Sequence, residues 1–327
     1  MKESTVKKRR LTFLLSLAIL LSVLFGCGKK GAAETTLPVR TETAGSEAAT
    51  TEPIQPDLTD AETDQTVKTY ETPMIVNAVS EPQEGDDPLS LSGIENVLRI
   101  AYVLGHAENY SVNAHSTVKA KVLVSYTQEV KIYKDYCRGV MLEIDITNSS
   151  LVNDAWQTCY VSGIALLRGP DGGKKTWNGR DTVWESDDPE IFSREEFREE
   201  YGLFGTELTN YILNADTIVS WSTVTDNGDG TYTQTIKPDL TAATGDCARR
   251  MKKMGGLDKY PVFKDSTITL TFDRNWRILS MTIDESYSIK LGILNAKNCR
   301  AVSVFAYSYG NADISDYETY FARFINE

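Results

Sequence analysis

The stretch Val118-Lys-Ala-Lys-Val-Leu-Val-Ser-Tyr-Thr-Gln-Glu-Val-Lys-Ile132 decides the fold, because apolar and polar residues alternate along it with a period of two. Every even position except Gln128 is apolar, and most odd positions are polar. Successive side chains of a β-strand point to opposite faces, so this period predicts a strand. We therefore expect one long strand over 118–132, with one apolar face and one face toward water.

The same alternation recurs further along the chain. Residues 140–146 predict a second strand, and a third is expected over 157–168. Further strands are expected at 217–225, 231–237, 267–273, 277–285, 288–293 and 300–309. The turn Asn227-Gly228-Asp229-Gly230 resembles the start of a calcium loop but lacks the ligands at positions 1 and 12, so we expect a hairpin there and no metal site.

Helix starts are marked by a serine followed three residues later by a glutamate, the capping-box pattern. It occurs three times in this chain: Ser92 with Glu95, Ser193 with Glu196, and Ser315 with Glu318. Helical spacing of apolar residues predicts the first helix over 93–105. A helical insertion is expected over 187–213. Within it, the second box opens a helix that Gly202 ends, and a shorter helix follows over 207–213. A further helix is expected over 242–254.

This order of elements resembles that of the bacterial lipoprotein carriers of the LolA and LolB class and the related mycobacterial lipid-binding lipoproteins. The resemblance rests on the early helix, the strand containing Tyr126-Thr127-Gln128-Glu129-Val130, its partner Leu142-Glu143-Ile144-Asp145, and the late meander. It implies an α+β fold in which an antiparallel β-sheet is curled into a half-barrel, with helices packed on the concave side. The helical insertion over 187–213 departs from that pattern.

The N-terminal segment has the features of an export signal. Four consecutive cations, Lys7 to Arg10, precede an uncharged apolar run that ends at Phe25. Leu24-Phe25-Gly26-Cys27 resembles the lipobox of bacterial lipoproteins, which implies cleavage after residue 26 and lipidation of Cys27. We therefore expect a signal peptide over 1–26 and a protein lipid-anchored on the extracytoplasmic face of the cell membrane, held there by two acyl chains.

Two regions follow the anchor. Residues 27–88 are rich in Thr, Pro and Glu, and 28–88 contain 13 acidic against 4 basic residues, which predicts a disordered acidic tether. Residues 89–327 are expected to form one antiparallel-sheet domain that contains the insertion over 187–213. The whole chain has a formal net charge of −12, and a nucleic-acid partner is not expected because phosphates need a basic surface.

The chain offers no recognisable catalytic or metal-binding pattern. Its two histidines, His106 and His115, are not in a metal-ligand spacing, and no Gly-x-Ser-x-Gly sequence is present. We therefore predict a protein that is not an enzyme and has no cofactor. Disulfides are permitted in an exported protein, but the sequence does not choose between paired and free thiols for Cys137, Cys159, Cys247 and Cys299.

The predicted function is the binding or shielding of an apolar ligand, either a lipid or a lipidated partner, by an expected monomer. The residues assigned to the ligand face are Val122, Val124, Tyr126, Val130, Leu142 and Ile144.

Two other functions remain open. Trp177 and Trp184 flank an Asn-Gly turn and could stack on a cell-wall sugar, although hairpin packing would explain them as well. An envelope-sensing scaffold would show the same strand alternation, with the apolar face filled by its own side chains.

Overall fold

The structure is a computed structural model that describes residues 79–121, 125–149, 153–161, 163–169, 173–175, 182–184, 189–291, 294–310, 312 and 314. Cys27, the predicted signal peptide and most of the predicted tether lie outside these residues. Within them, no helix has both the length and the apolar character needed to cross a membrane.

The first helix, α1, spans Gly93–Gly105, as predicted. Its capping box is formed in full: Glu95 N donates to Ser92 Oγ (3.3 Å), and Ser92 N donates to Glu95 Oε2 (2.9 Å). The buried side of α1 faces the sheet, where Trp276 Nε1 donates to Asn96 Oδ1 at 2.6 Å. This bond fixes α1 against the turn between two strands of the sheet.

The described strands are all paired antiparallel. In chain order they are β1 Asn109–Lys121, β2 Ser125–Cys137, β3 Val140–Ser149, β4 Asn153–Val161, β5 Ile164–Arg168, β6 Gly173–Lys175, β7 Thr182–Trp184, β8 Glu190–Ser193, β9 Ile218–Trp221, β10 Thr225–Asp226, β11 Thr231–Pro238, β12 Val262–Asp273, β13 Ile278–Leu291 and β14 Leu294–Tyr309. The other two described helices are α2 Arg194–Tyr201 and α3 Gly245–Met254.

One open sheet contains twelve of these strands, in the order β10-β11-β12-β13-β14-β1-β2-β3-β4-β5-β8, with β9 also paired to β11. The strands β6 and β7 form a separate pair. The first strand of the meander, β1, lies beside the last, β14, so the two halves of the chain join at the middle of the sheet. The predicted α+β fold with one large antiparallel sheet and packed helices is confirmed.

The long strand predicted over 118–132 is in fact a hairpin. The strand β1 ends at Lys121, β2 begins at Ser125, and Ala120 pairs with Tyr126. In this register the even-numbered residues of both strands point to the same face, so the alternation continues through the hairpin without a break. A period of two therefore could not reveal that the chain reverses.

Other predicted elements also have different bounds. The single strand expected over 157–168 is divided into β4 and β5 by a turn in which Gly163 has a φ of 81°. The strands predicted at 277–285 and 288–293 are one strand, β13, with an irregular register between Tyr287 and Ile289. The shorter helix expected over 207–213 is irregular chain, and the helix of the insertion is α2 alone.

All three described helices pack on the same side of the large sheet, here called the helix face. Phe197 and Tyr201 of α2 are buried against Phe192 and Tyr160, with the Tyr160 and Phe197 rings 5.5 Å apart. The helices α2 and α3 are joined by an ion pair between Arg198 Nη2 and Asp246 Oδ2 at 3.1 Å. The other side of the sheet is called the outer face.

A second, smaller apolar cluster lies on the outer face of β3, β4 and β5. It contains Leu142, Ile144, Ile146, Ala155, Cys159, Leu166 and Ile314. The strand β3 is therefore buried on both faces, which is unusual for an antiparallel strand and places its polar residues inside the protein.

Candidate functional site

The helix face of the sheet carries a group of half-buried residues on its central strands, β14, β1 and β2. Strand pairing places Ser303, Ser116 and Val130 in one row across these strands, and Phe305, Ala114 and Ile132 in the next. The half-buried residues of this surface form what we call the central band: Ser116, Val118, Tyr126, Gln128, Val130, Ile132, Ser303 and Phe305.

The strands on either side of the central band carry fully covered residues on this face, although Thr147 and Ser149 of β3 are half-buried like the band. On the β12 and β13 side, Ile268, Leu270 and Met281 have exposed fractions of 0, 0 and 1 %. On the β3 and β4 side, Met141 and Tyr160 have 0 and 2 %. The partial exposure of the central band is therefore a local feature and not a general looseness of the core.

Most polar groups of the central band bind one another. Ser303 Oγ donates to Ser116 Oγ at 2.8 Å, and the Tyr126 hydroxyl is hydrogen-bonded to Gln128 Oε1 (2.8 Å) and Ser149 Oγ (2.7 Å). Because these groups are already satisfied, they add little cost when apolar matter covers them. The band is thus an apolar surface with internally paired polar groups.

A loop between α2 and β9, residues 202–217 and here called the crossing loop, runs over the helix face beside the band. Lys134 Nζ donates to Gly205 O at 2.9 Å, the Tyr307 hydroxyl reaches Leu208 O at 3.4 Å, and the Tyr211 hydroxyl donates to Glu285 Oε2. These bonds connect the loop to β2, β14 and β13 in turn. The loop needs glycine at 205, since a Cβ there would overlap the Glu143 carboxylate and lie 2.7 Å from the Tyr160 ring.

A buried group of charges, here called the ionic cluster, lies under this loop and α3. It consists of Lys134, Glu143, Asp145, Tyr160 and Arg250. Glu143 Oε1 is 3.2 Å from Arg250 Nη2, and Glu143 Oε2 accepts from the Tyr160 hydroxyl at 3.0 Å and lies 3.8 Å from Lys134 Nζ. Burial alone would raise the pKa of Glu143, but Arg250 and Lys134 outweigh it and hold that pKa below its usual value.

Two carboxyl groups on the helix face have pKa values raised to about 7. For Asp145 the cause is burial, reinforced by the negative charge of Glu143 and opposed by Arg250 and Lys134. For Glu285 the cause is also burial, opposed by the hydrogen bond from Tyr211. Both groups therefore lie near half-protonation at neutral pH.

The structure does not bring the six predicted ligand-face residues together. Tyr126 and Val130 belong to the central band, whereas Leu142 and Ile144 lie on the outer face in the smaller cluster. The reason is the β2–β3 register, which pairs Ile144 with Tyr133, so the apolar residues of β3 point away from those of β2. Val122 and Val124 lie outside the described residues.

The other predicted sites give less information. Trp177 lies outside the described residues, Trp184 ends β7 with its side chain undescribed, and sugar stacking stays a prediction. Cys137 is half-buried, Cys159, Cys247 and Cys299 are buried, and all four thiols are free, so of the two states left open the structure has the unpaired one.

The Asn227-Gly228-Asp229-Gly230 segment connects β10 to β11 as a hairpin, with Asp229 Oδ1 accepting from Thr231 N at 3.0 Å. This confirms the predicted turn. In the described part of the chain, no group of three or more His, Cys, Asp or Glu side chains is placed to hold a metal ion.

The sequence did not reveal the ionic cluster. Glu143 and Asp145 alternate with Leu142 and Ile144, and such alternation normally places the charged residues toward water. The available signal was the apolar sequence on either side of these two residues. A long apolar run is typical of a strand that is buried on both faces.

No protein-family model and no characterised protein sequence matches the chain. Among solved structures, it is similar to a LolA superfamily protein from Nitrosomonas europaea, at 9 % identity over 70 % of this chain and 97 % of that one, with a TM-score of 0.27. It is also similar to a putative outer membrane lipoprotein-sorting protein domain from Vibrio parahaemolyticus, at 9 % identity over 68 % and 94 %, with a TM-score of 0.26. The fold assignment rests on the strand pairing given above.

Proposed function

We propose that this chain is an extracytoplasmic lipoprotein, anchored in the cell membrane through Cys27, whose sheet domain binds an apolar ligand on the central band without catalysing a reaction. The ligand class is a lipid or the acyl chains of a lipidated partner. The anchor follows from the order of cations, apolar run, glycine and cysteine at the N-terminus.

The observation that carries the binding proposal is the contrast in exposure across one sheet face. Val130 and Phe305 are half-buried, while Ile268 and Met141, on either side of them, have an exposed fraction of 0 %. A filled scaffold core would be expected to cover its central strands best, because they are furthest from the sheet edges. Here part of the centre, at Val130, Ile132 and Phe305, is left half-exposed, as a binding surface for apolar chains requires.

A pair of matched substitutions tests this proposal. Val130→Asp would place a carboxylate in the half-exposed band, so we expect the domain to fold and to lose binding of a pyrene-labelled alkane at least tenfold. Ile268→Asp would bury an unpaired carboxylate and is expected to unfold the domain. Fluorescence titration measures binding, urea denaturation measures stability, and mass spectrometry of the purified parent identifies any bound lipid.

The outcome that would reject the proposal is equally specific. A parent that binds no alkane and carries no lipid, together with a Val130→Asp variant that fails to fold, would show that the band is a core surface. The protein would then be a scaffold whose sheet binds no apolar ligand.

The anchor has its own test. Cys27→Ser should abolish incorporation of a radiolabelled fatty acid and leave the signal uncleaved, since a serine hydroxyl offers no thiolate to the acyl donor. Label that persists on the variant would contradict the assignment of Cys27, without bearing on the central band.

A further inference from the structure

Asp145 differs from the other charged residues of the ionic cluster in its hydrogen bonding. It lies on the helix face of β3, between Ile132 of β2 and Trp156 of β4 in the strand register. The residue is 9 % exposed, and its Oδ1 atom is buried without a hydrogen-bond partner. Buried polar groups in folded proteins are almost always paired, so an orphan acceptor at this place requires an explanation.

A second orphan atom faces the same cluster. Arg250 uses Nη1 to donate to Asn210 Oδ1 (3.0 Å) and Nη2 to donate to the Tyr160 hydroxyl (2.9 Å), but its Nε is buried and unpaired. Two acceptors of the cluster, Asp145 Oδ1 and Glu143 Oε1, and one donor, Arg250 Nε, are without a hydrogen bond. Glu143 Oε1 is ion-paired with Arg250 Nη2 at 3.2 Å, so Asp145 Oδ1 is the acceptor left without a close partner. The combined requirement of Asp145 Oδ1 and Arg250 Nε is a group that both donates and accepts a hydrogen bond.

The charges of the cluster indicate that such a group is neutral. Lys134 and Arg250 supply two positive charges, and Glu143 and Asp145 supply two negative charges when both are ionised. An anionic head group would face two carboxylates, and a cationic one would face an arginine and a lysine. Either would leave a buried net charge, which is strongly unfavourable at low dielectric.

Asp145, which carries one of the orphan atoms, adjoins the apolar surface. Ile132, which pairs with Asp145, belongs to the central band, and Val130 follows on the same face. A ligand with its polar end at Asp145 could therefore lay its apolar chain along Ile132 and Val130 without crossing a charged surface.

We propose that Asp145 and Arg250 bind the neutral head group of an amphiphile, a hydroxyl or an amide, while its acyl chain lies along the central band. This inference rests on the proposed function and narrows its ligand to lipids with an uncharged head that both donates and accepts hydrogen bonds. Asp145 Oδ1 accepts from the head group, and Arg250 Nε donates to it.

The test compares twelve-carbon probes that differ only in the head group. Isothermal titration calorimetry would measure monododecanoylglycerol, dodecanoate and dodecyltrimethylammonium, each below its micellar concentration, beside the pyrene-labelled alkane. We expect the neutral acylglycerol to bind the parent at least tenfold more tightly than either ionic probe. In Asp145→Leu this preference should fall below threefold, while the alkane is still bound.

Two further variants keep the test decisive. Glu129→Gln removes an exposed carboxylate from the outer face of β2 and should preserve the preference for the neutral head group.

Asp145→Asn is nearly isosteric and replaces the leucine variant if that variant does not fold. Its amide can also pair within the cluster, so the preference for the neutral head group should again decrease. Equal binding of the three heads, or a preference that survives both Asp145 variants, overturns this inference and leaves the proposed function standing. Failure of every probe, the alkane included, rejects the proposed function itself.

Discussion

Asp145 on β3 and Glu285 on β13 occupy the same sheet face on opposite sides of the central band, yet their surroundings differ. Burial raises the pKa of both carboxyl groups to about 7. Glu285 accepts a hydrogen bond from the Tyr211 hydroxyl, which in turn accepts from Ser266 Oγ at 3.3 Å. Asp145 Oδ1 has no partner.

This difference separates a structural carboxyl group from one available to a ligand. The bond to Glu285 fastens the far end of the crossing loop to the sheet, so that carboxyl is already occupied. The near end of the loop is fastened by Lys134 through Gly205 O, and Asp145 takes no part in it. Similar pKa values therefore accompany different roles, and hydrogen-bond partners distinguish them.

The largest effect is expected from breaking the ionic cluster around Asp145. Arg250→Met removes the cation nearest Glu143 and keeps much of the side-chain volume. Removing one partner of a buried ion pair costs about 3–5 kcal/mol, since the other charge remains buried. Urea denaturation should show this loss.

Arg300→Met is the matched control, because the Arg300–Asp284 pair has side chains 68 % and 40 % exposed. Its loss should be much smaller. Equal losses in the two variants would mean that the cluster is not shielded from water.

The second effect is a change in the pH dependence of stability. A carboxyl group with a pKa of about 7 in the folded protein and 3.8 unfolded keeps its proton longer in the folded state. Its contribution to stability is therefore present below pH 4 and is lost as the pH rises through about 7. For Asp145, the free energy of unfolding should fall by on the order of 4 kcal/mol between acidic pH and a pH above about 7.

Asp145→Asn should remove that loss, so that the variant is more stable than the parent at pH 8 and similar at pH 4. Denaturation at pH 4, 6 and 8 measures it, with Glu129→Gln as the control that should follow the parent. Parallel curves for parent and Asp145→Asn would show that Asp145 does not titrate in this range.

The sequence predicted local structure far better than the arrangement of faces. Helix α1 was predicted to the residue because its capping box and apolar spacing are local signals. The reversal of the chain between β1 and β2 was missed because the sequence Val122-Leu123-Val124 contains no turn-forming residue and the alternation runs through it. Which face Leu142 joins depends on the β2–β3 register, which no single strand encodes.

The burial of Glu143 and Asp145 could not be predicted for a related reason. Their cover comes from the crossing loop and α3, about 60 to 110 residues later in the chain. Local alternation reports whether a strand has two different faces, but it does not report what later packs on the polar one.

A smaller effect is expected on the Glu285 side. Tyr211→Phe would leave Glu285 Oε2 without its donor, which should cost about 1–3 kcal/mol. Because this hydrogen bond lowers the pKa of Glu285, its removal should raise that pKa further and extend the loss of stability to higher pH. Tyr307→Phe, which removes only the 3.4 Å contact with Leu208 O of the same loop, is the control and should cost less. If the free energy of unfolding of Tyr211→Phe changes with pH around the same midpoint as that of the parent, the role given to this hydrogen bond is contradicted.

The smallest effect is expected from Ser266→Ala. Ser266 is 2 % exposed, and its hydroxyl reaches Glu285 only through Tyr211, so its loss should cost about 0.5–1.5 kcal/mol. Since both residues serve one chain of hydrogen bonds, the double variant Ser266→Ala, Tyr211→Phe should lose little more than Tyr211→Phe alone. Ser280→Ala, on the outer face of β13, should instead add independently to Tyr211→Phe. Additive losses for Ser266 and Tyr211 would show that Ser266 does not act on Glu285 through Tyr211, and the chain of hydrogen bonds that distinguishes Glu285 from Asp145 would then be Tyr211 alone.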